Sequence, residues 1–117
     1  KKAGIRVAVF LDPDVNQVEL AAQSGADRIE LYTEEYASEF LGSNSKNVLG
    51  KYHGAAIKAQ ELGLGVNAGH DLNLKNLPDF LNIPDILEVS IGHALVIECI
   101  DHGIEKVISA YLKICQA

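Results

Sequence analysis

Tryptophan and methionine are absent from this 117-residue chain, and Phe and Tyr make up only 6% of it. A core must therefore be built from Ala, Val, Ile and Leu, the side chains that fill the layers of β/α proteins. Hydrophobic residues reach 48%, enough for one domain with a buried core. Positive charge is also scarce: 10 Lys and Arg stand against 16 Asp and Glu, a net charge of -6. Without a basic stripe, a nucleic-acid partner is disfavoured. No apolar run approaches the roughly 18 residues needed to span a bilayer, and no signal-peptide pattern opens at Lys1. There are two cysteines, Cys99 and Cys115, and no CxxC pair. Reduced, buried thiols in a cytoplasmic protein are the expectation.

What is present has a regular order. Arg6–Leu11 (RVAVFL) reads as a buried strand, stopped by Asp12-Pro13-Asp14. Asp14 is placed to cap the next helix, and Gln17 follows three residues later, as a capping box requires. Val15, Val18, Ala21 and Ala22 have helical spacing before a stop at Gly25. Arg28–Tyr32 (RIELY) is the second strand. From Thr33 to about Gly50 no period emerges, so a long loop with a helical turn is expected there. Lys51–Leu62 reads as a helix, Gly65–Ala68 as a strand and Asn76–Leu81 as a short helix with Pro78 in its first turn. Ile86–Ile91 is the fourth strand. Helices over Ala94–Ile100 and Ile104–Ile114 follow, separated by Gly103.

The order βαβαβαβα implies a parallel sheet, because each strand needs a helical return. Four units of roughly 30 residues match half of an eight-unit barrel of about 250 residues. The fold expected is α/β: four βα units, the second half of a TIM (β/α)8 barrel, as one partial domain over residues 1–117. Four strands cannot close a barrel. The chain also begins as if inside a longer structure. An open dinucleotide-binding sheet fits less well. Gly63, Gly65 and Gly69 bracket a strand, whereas G-x-G-x-x-G should follow one.

Barrel enzymes place chemistry at the carboxyl ends of their strands. Asp12, Asp14, Glu30, Asn67, His70, Asp71, Ser90, Gly92 and His93 fall at or near such ends. Alternation puts Glu30 on the face opposite Ile29 and Leu31, pointing into a barrel, where an unpaired carboxylate is costly. It reads either as half of an internal ion pair or as a carboxylate that stabilises positive charge or a proton in a reaction. His70 stands among small residues that leave room for a substrate, so it is a candidate acid or base. Gly92-His93 opens a helix, where backbone N–H groups favour an anion such as phosphate. A simple loop histidine and a simple strand–helix turn are the plainer readings of these two features. Glu30, His70 and His93 could also form a two-His, one-carboxylate metal site, although no H-x-H or H-E-x-x-H spacing supports it. His53 and His102 read as solvated.

The runs VFLDPD, DRIELYTEEYA, LGLGVNAGHDLNLKNL and ILEVSIGHAL together resemble the C-terminal half of pyridoxine 5'-phosphate synthase. The resemblance covers nearly the whole chain. It implies a barrel enzyme of vitamin B6 synthesis that condenses 3-amino-2-oxopropyl phosphate with 1-deoxy-D-xylulose 5-phosphate. The products are pyridoxine 5'-phosphate, phosphate and water, and neither a metal nor an organic cofactor takes part. His70 then corresponds to the proton donor and Glu30 to a transition-state stabiliser. Asp71, Gly92 and His93 correspond to residues that hold the aminooxopropyl phosphate. Asp71 stands where many members carry glycine, and Tyr32-Thr33-Glu34 replaces a common His-Thr-Gly. The resemblance further implies a cytoplasmic homo-oligomer at full length. The family's remaining catalytic groups belong to the first barrel half, so this chain alone is expected to be inactive. Two other readings compete: a non-catalytic phosphate-binding half-barrel, and a different phosphosugar barrel enzyme.

Overall fold

The first strand of the computed structural model, β1, is Ala8–Leu11; the structure describes residues 1–116. It begins two residues later than its apolar run predicts. Val7 is tied instead to the loop before β2: its N–H donates to Asp27 Oδ2 (2.8 Å), and its carbonyl accepts from the Asp27 and Arg28 amides. That backbone donation, reinforced by Lys1, holds the Asp27 carboxyl below its ordinary pKa. Helix α1 spans Val15–Gln23. Asp14 caps it by accepting from the Asn16 amide (2.8 Å), whereas Gln17 reaches past the cap to accept from the Asp12 amide (3.3 Å). The capping box is thus only half formed. Gly25, at φ +81, turns the chain toward β2, Arg28–Tyr32.

The segment expected to be a long loop contains a helix, α2 (Glu34–Glu39), and the start of α3 (Ser45–Glu61), which begins six residues before the helix predicted from Lys51. Gly50 hides the start of α3, because a glycine weakens a helix by about 1 kcal/mol. Tertiary burial overrides it. Val48, Tyr52, Ala55 and Ala59 recur at helical spacing and are all buried. Tyr36 of α2 packs edge-on to Tyr52 (ring centroids 6.2 Å apart) and lies 5.1 Å from Phe80. Leu62 falls outside this buried face and is 42% exposed.

Strand β3 (Gly65–Gly69) runs one residue further than predicted. Helix α4 is Leu77–Phe80, with Asn76 and Leu81 as its caps, and β4 is Ile86–Ser90. Helices α5 (His93–His102) and α6 (Ile104–Gln116) meet at Gly103, φ +89. The four strands pair in parallel in the order β1-β2-β3-β4. This is an α/β fold, consistent with half of a barrel.

One sheet face carries Ile29, Leu31, Val66 and Ala68, all without exposed surface, and packs on Val18, Tyr52, Ala56 and Phe80. Each large side chain buried there contributes roughly 1.5–3 kcal/mol. Among the described residues, no helix covers the opposite face. In register across it lie Phe10, Glu30, Asn67 and Glu88, with Tyr32, Gly69 and Ser90 in a row nearer the strand ends. Phe10 is 70% exposed on that face.

The expectation for the cysteines needs correction. Cys99 is only half-buried and Cys115 is exposed, both free thiols. Cys115 follows the buried Val107 and Tyr111 at four-residue spacing, but it lies in the last turn of α6, at the rim of the buried face, and is exposed. His53 and His102 are exposed, as predicted. No helix among the described residues is long and apolar enough to cross a membrane.

Candidate functional site

The polar row on the uncovered face begins with Glu30. Its neighbours Ile29 and Leu31 are fully buried on the helix side, so Glu30 points away from the helices. Its carboxylate leans over β3 at Gly69: a Cβ placed on Gly69 would lie 2.6 Å from Glu30 Oε1 and 3.1 Å from Ser90 Cβ. Glycine at 69 is what lets this carboxylate approach the backbone just before His70.

His70 and Asp71 follow with φ of +101° and +58°. Side chains other than glycine rarely adopt this left-handed region, and Asp enters it more readily than most. Position 71 therefore has a backbone that glycine adopts freely and Asp tolerates. Thr33 holds the bend in place. It is fully buried, its hydroxyl donates to the His70 carbonyl, and its amide donates to the Gly69 carbonyl (3.0 Å). On the other side, Asn76 Nδ2 donates to the Asp71 carbonyl (3.1 Å). Asn76 is fixed in turn by a reciprocal pair, with Asn73 N–H donating to Asn76 Oδ1 and Asn76 N–H to Asn73 Oδ1. This is the reciprocal pattern of a capping box, formed by two asparagines in the turn that leads into α4.

The His70 ring lies against Tyr32, with centroids 4.5 Å apart and planes inclined by 43°. Its Nε2 is 3.6 Å from Asp71 Oδ2, and both side chains are half-exposed. The Tyr32 hydroxyl donates to Glu34 Oε2 (2.6 Å), and this bond to a carboxylate raises the Tyr32 pKa. Gly92 caps α5 and His93 begins it; both are exposed. Asp71 and His93 share an open cleft of about 380 Å³ with Glu34, Ser38 and Asn73. Two groupings thus stand at the strand ends: Glu30 with Gly69-His70, and Asp71 with His93. Asp12 lines a separate cleft beside Tyr32. Among the described residues, no three His, Cys, Asp or Glu side chains converge to hold a metal ion, so Glu30, His70 and His93 do not form a metal-ligand set here.

An internal ion pair does exist on this face, but Glu30 is not in it. Arg28 Nη1 contacts Glu88 Oε2 (2.7 Å) and donates to Asn67 Oδ1 (3.1 Å), while Asn67 Nδ2 donates to the same Glu88 oxygen (2.9 Å). Arg6 reaches that oxygen at 3.2 Å. Sequence reasoning missed this cluster, together with Thr33 and Asn76. Alternation along RIELY puts Arg28 on the Glu30 face, a usable signal. The partner Glu88 is hidden by a register shift at Val66/Asn67, which displaces β4 by one residue.

Polar groups gathered at the carboxyl ends of parallel strands, above a core sealed by helices, are the layout of β/α enzymes. The chain belongs to the family described as pyridoxal phosphate biosynthesis protein PdxJ, whose model matches residues 1–117. Among curated relatives, the pyridoxine 5'-phosphate synthase of Cytophaga hutchinsonii is 55% identical over 115 residues, covering 97% of this chain and 48% of the relative. Those of Christiangramia forsetii and Xanthomonas campestris are 52% and 50% identical and cover the same share of this chain. The chain spans about half the length of the curated relatives it matches.

Proposed function

We propose that this chain is the second half of a TIM (β/α)8 barrel that makes pyridoxine 5'-phosphate from 3-amino-2-oxopropyl phosphate and 1-deoxy-D-xylulose 5-phosphate. The observation that carries this reading is the placement of the Glu30 carboxylate over Gly69, next to His70, in a chain with relatives named pyridoxine 5'-phosphate synthase. In this reading, His70 donates a proton to a departing or developing oxygen, and Glu30 stabilises positive charge that forms on the condensing amine. Gly92, His93 and the backbone at Asp71 hold the aminooxopropyl phosphate. The Gly92 cap leaves the first amides of α5 available to a phosphate oxygen. The Asp71 carboxylate in the same cleft opposes an anion, so the Asp71 contact is assigned to its backbone.

The uncovered sheet face supports completion by further strands. Phe10 at 70% exposure and the unpaired edges of β1 and β4 are unsuited to water. The reading includes a cytoplasmic, homo-oligomeric full-length enzyme acting without metal or organic cofactor. It assigns further reacting groups to the other barrel half, so residues 1–117 alone form no product. The test is an assay for pyridoxine 5'-phosphate with the purified chain, alone and mixed with the separately made N-terminal half of the Cytophaga hutchinsonii relative. Product only in the mixture supports the proposal. Product from the chain alone overturns the half-site assignment, and the absence of product in a mixture that forms a stable complex overturns the functional one.

A further inference from the structure

Glu30 and Arg28 lie two residues apart on one face of β2, close enough for a long guanidinium to reach the carboxylate. The guanidinium nevertheless sits elsewhere. It is taken by Glu88 at 2.7 Å and by Asn67 at 3.1 Å, and Asn67 closes the triangle on the same Glu88 oxygen at 2.9 Å. Arg6 reaches the same oxygen at 3.2 Å. Among the described residues, no hydrogen bond or ion pair reaches the Glu30 carboxylate. The face thus carries two groups. Arg6, Arg28, Asn67 and Glu88 form one cluster, with both guanidiniums on the same Glu88 oxygen. Glu30 stands outside it, a carboxylate without a cation.

We infer that Glu88 and Asn67 are positioning residues that keep Arg28 off Glu30, reserving the Glu30 carboxylate for the positive charge of the reaction. The inference rests on the reading of Glu30 as the group that meets that charge. Its physical basis is competition for the Arg28 guanidinium. Arg28 has only a 19% exposed side chain, so it forms its charge-assisted bonds within reach. Two carboxylates are in reach, and Glu88 outcompetes Glu30 because Asn67 adds a second acceptor and fixes the geometry. A Glu30 already paired with Arg28 would offer less to a cationic intermediate, since its field would be spent on the protein. Asn67 occupies the register position between Glu30 and Glu88, so β3 supplies both the strut that holds Arg28 on Glu88 and the Gly69 gap for the Glu30 carboxylate.

The test needs no turnover. The intact chain is treated with a water-soluble carbodiimide and glycinamide, and coupling at Glu30 is read by peptide mass spectrometry against exposed Glu61. Circular dichroism checks the fold of each variant. Glu30 should label in the unsubstituted protein and several-fold less in Glu88→Gln, where Arg28 turns to it. In the double variant Arg28→Gln with Glu88→Gln, labelling should recover. Equal labelling in folded Glu88→Gln and unsubstituted protein overturns the inference. If Glu88→Gln does not fold, Arg28→Gln decides alone. Unchanged Glu30 labelling there supports the inference, and a rise means that Arg28 already shields Glu30, which overturns it. In the completed barrel, Glu88→Gln should lower kcat more than it alters KM, and the double variant should be more active than Glu88→Gln. A purely structural pair would make the double variant no better. Labelling that follows the expected pattern without turnover in any completed barrel would remove the functional reading and leave the charge partition standing; turnover with flat labelling would do the reverse.

Discussion

The hydroxyl of Thr33 donates to the carbonyl of His70, tying the end of β2 to the bend that follows β3. With the Thr33 amide bonded to the Gly69 carbonyl, one buried residue fixes the backbone on both sides of the His70 nitrogen.

Thr33→Val keeps the shape of that residue and removes the donor. The part-buried His70 carbonyl then loses its donor, a loss of about 0.5–1.5 kcal/mol. Urea unfolding should register it. Thr33→Ser, which retains the hydroxyl, should recover most of the stability, and equal losses in both variants would show that the methyl group matters more than the bond.

Gly69→Ala tests the gap over β3. Gly69 does not lie in the left-handed region, so alanine introduces a collision without backbone strain. Its Cβ would meet the movable Glu30 carboxylate at 2.6 Å and Ser90 Cβ at 3.1 Å. The fold should survive with a loss of about 1–3 kcal/mol, as for other overpacked sites. In the completed barrel, kcat should fall because Glu30 is pushed aside. A crystal structure of the variant with Glu30 unmoved would contradict this account.

Asp71→Gly should be tolerated or slightly stabilising. Position 71 is at φ +58°, where a side chain costs up to about 1–2 kcal/mol and Asp less than most. Removing its carboxylate from the cleft shared with His93 should also strengthen phosphate binding, measured by calorimetry in the completed barrel. Asp71→Val should destabilise the chain, since a β-branched residue fits that backbone poorly.

Alkaline unfolding should follow the buried tyrosines. Burial pushes the Tyr52 phenol from 10.0 up to about 12, and burial also raises Tyr36. A folded-state pKa above the unfolded value means that stability is fully present below pH 10 and is lost as pH rises toward 12. Tyrosinate absorbance and circular dichroism followed together should change in step across that window. Tyr52→Phe should shift the transition upward.

The order of strands and helices was legible in the sequence because apolar runs and glycine stops are local. Strand β2 was read to the residue, since RIELY alternates cleanly between a helix-packed and an uncovered face. The same alternation placed Glu30 correctly. The first turns of helix α3 were hidden, because Gly50 lowers local helix propensity and only packing on Tyr36, Val18 and the sheet restores it. The partners of the site residues were not legible at all. That Arg28 answers to Glu88 depends on a register shift in a strand 60 residues away, and that Thr33 supports His70 depends on two strand ends meeting.

The sequence by itself therefore determined the alternating β/α order, the face on which Glu30 lies, and the small-residue settings of His70 and Gly92-His93. Tertiary structure alone decided which charges are matched and which are left free. Periodicity assigns a side chain to a face, whereas pairing depends on the distance between strands far apart in the chain. At Glu30 that distance decides the outcome: Arg28 is its near neighbour in sequence, but the fold gives that guanidinium to Glu88.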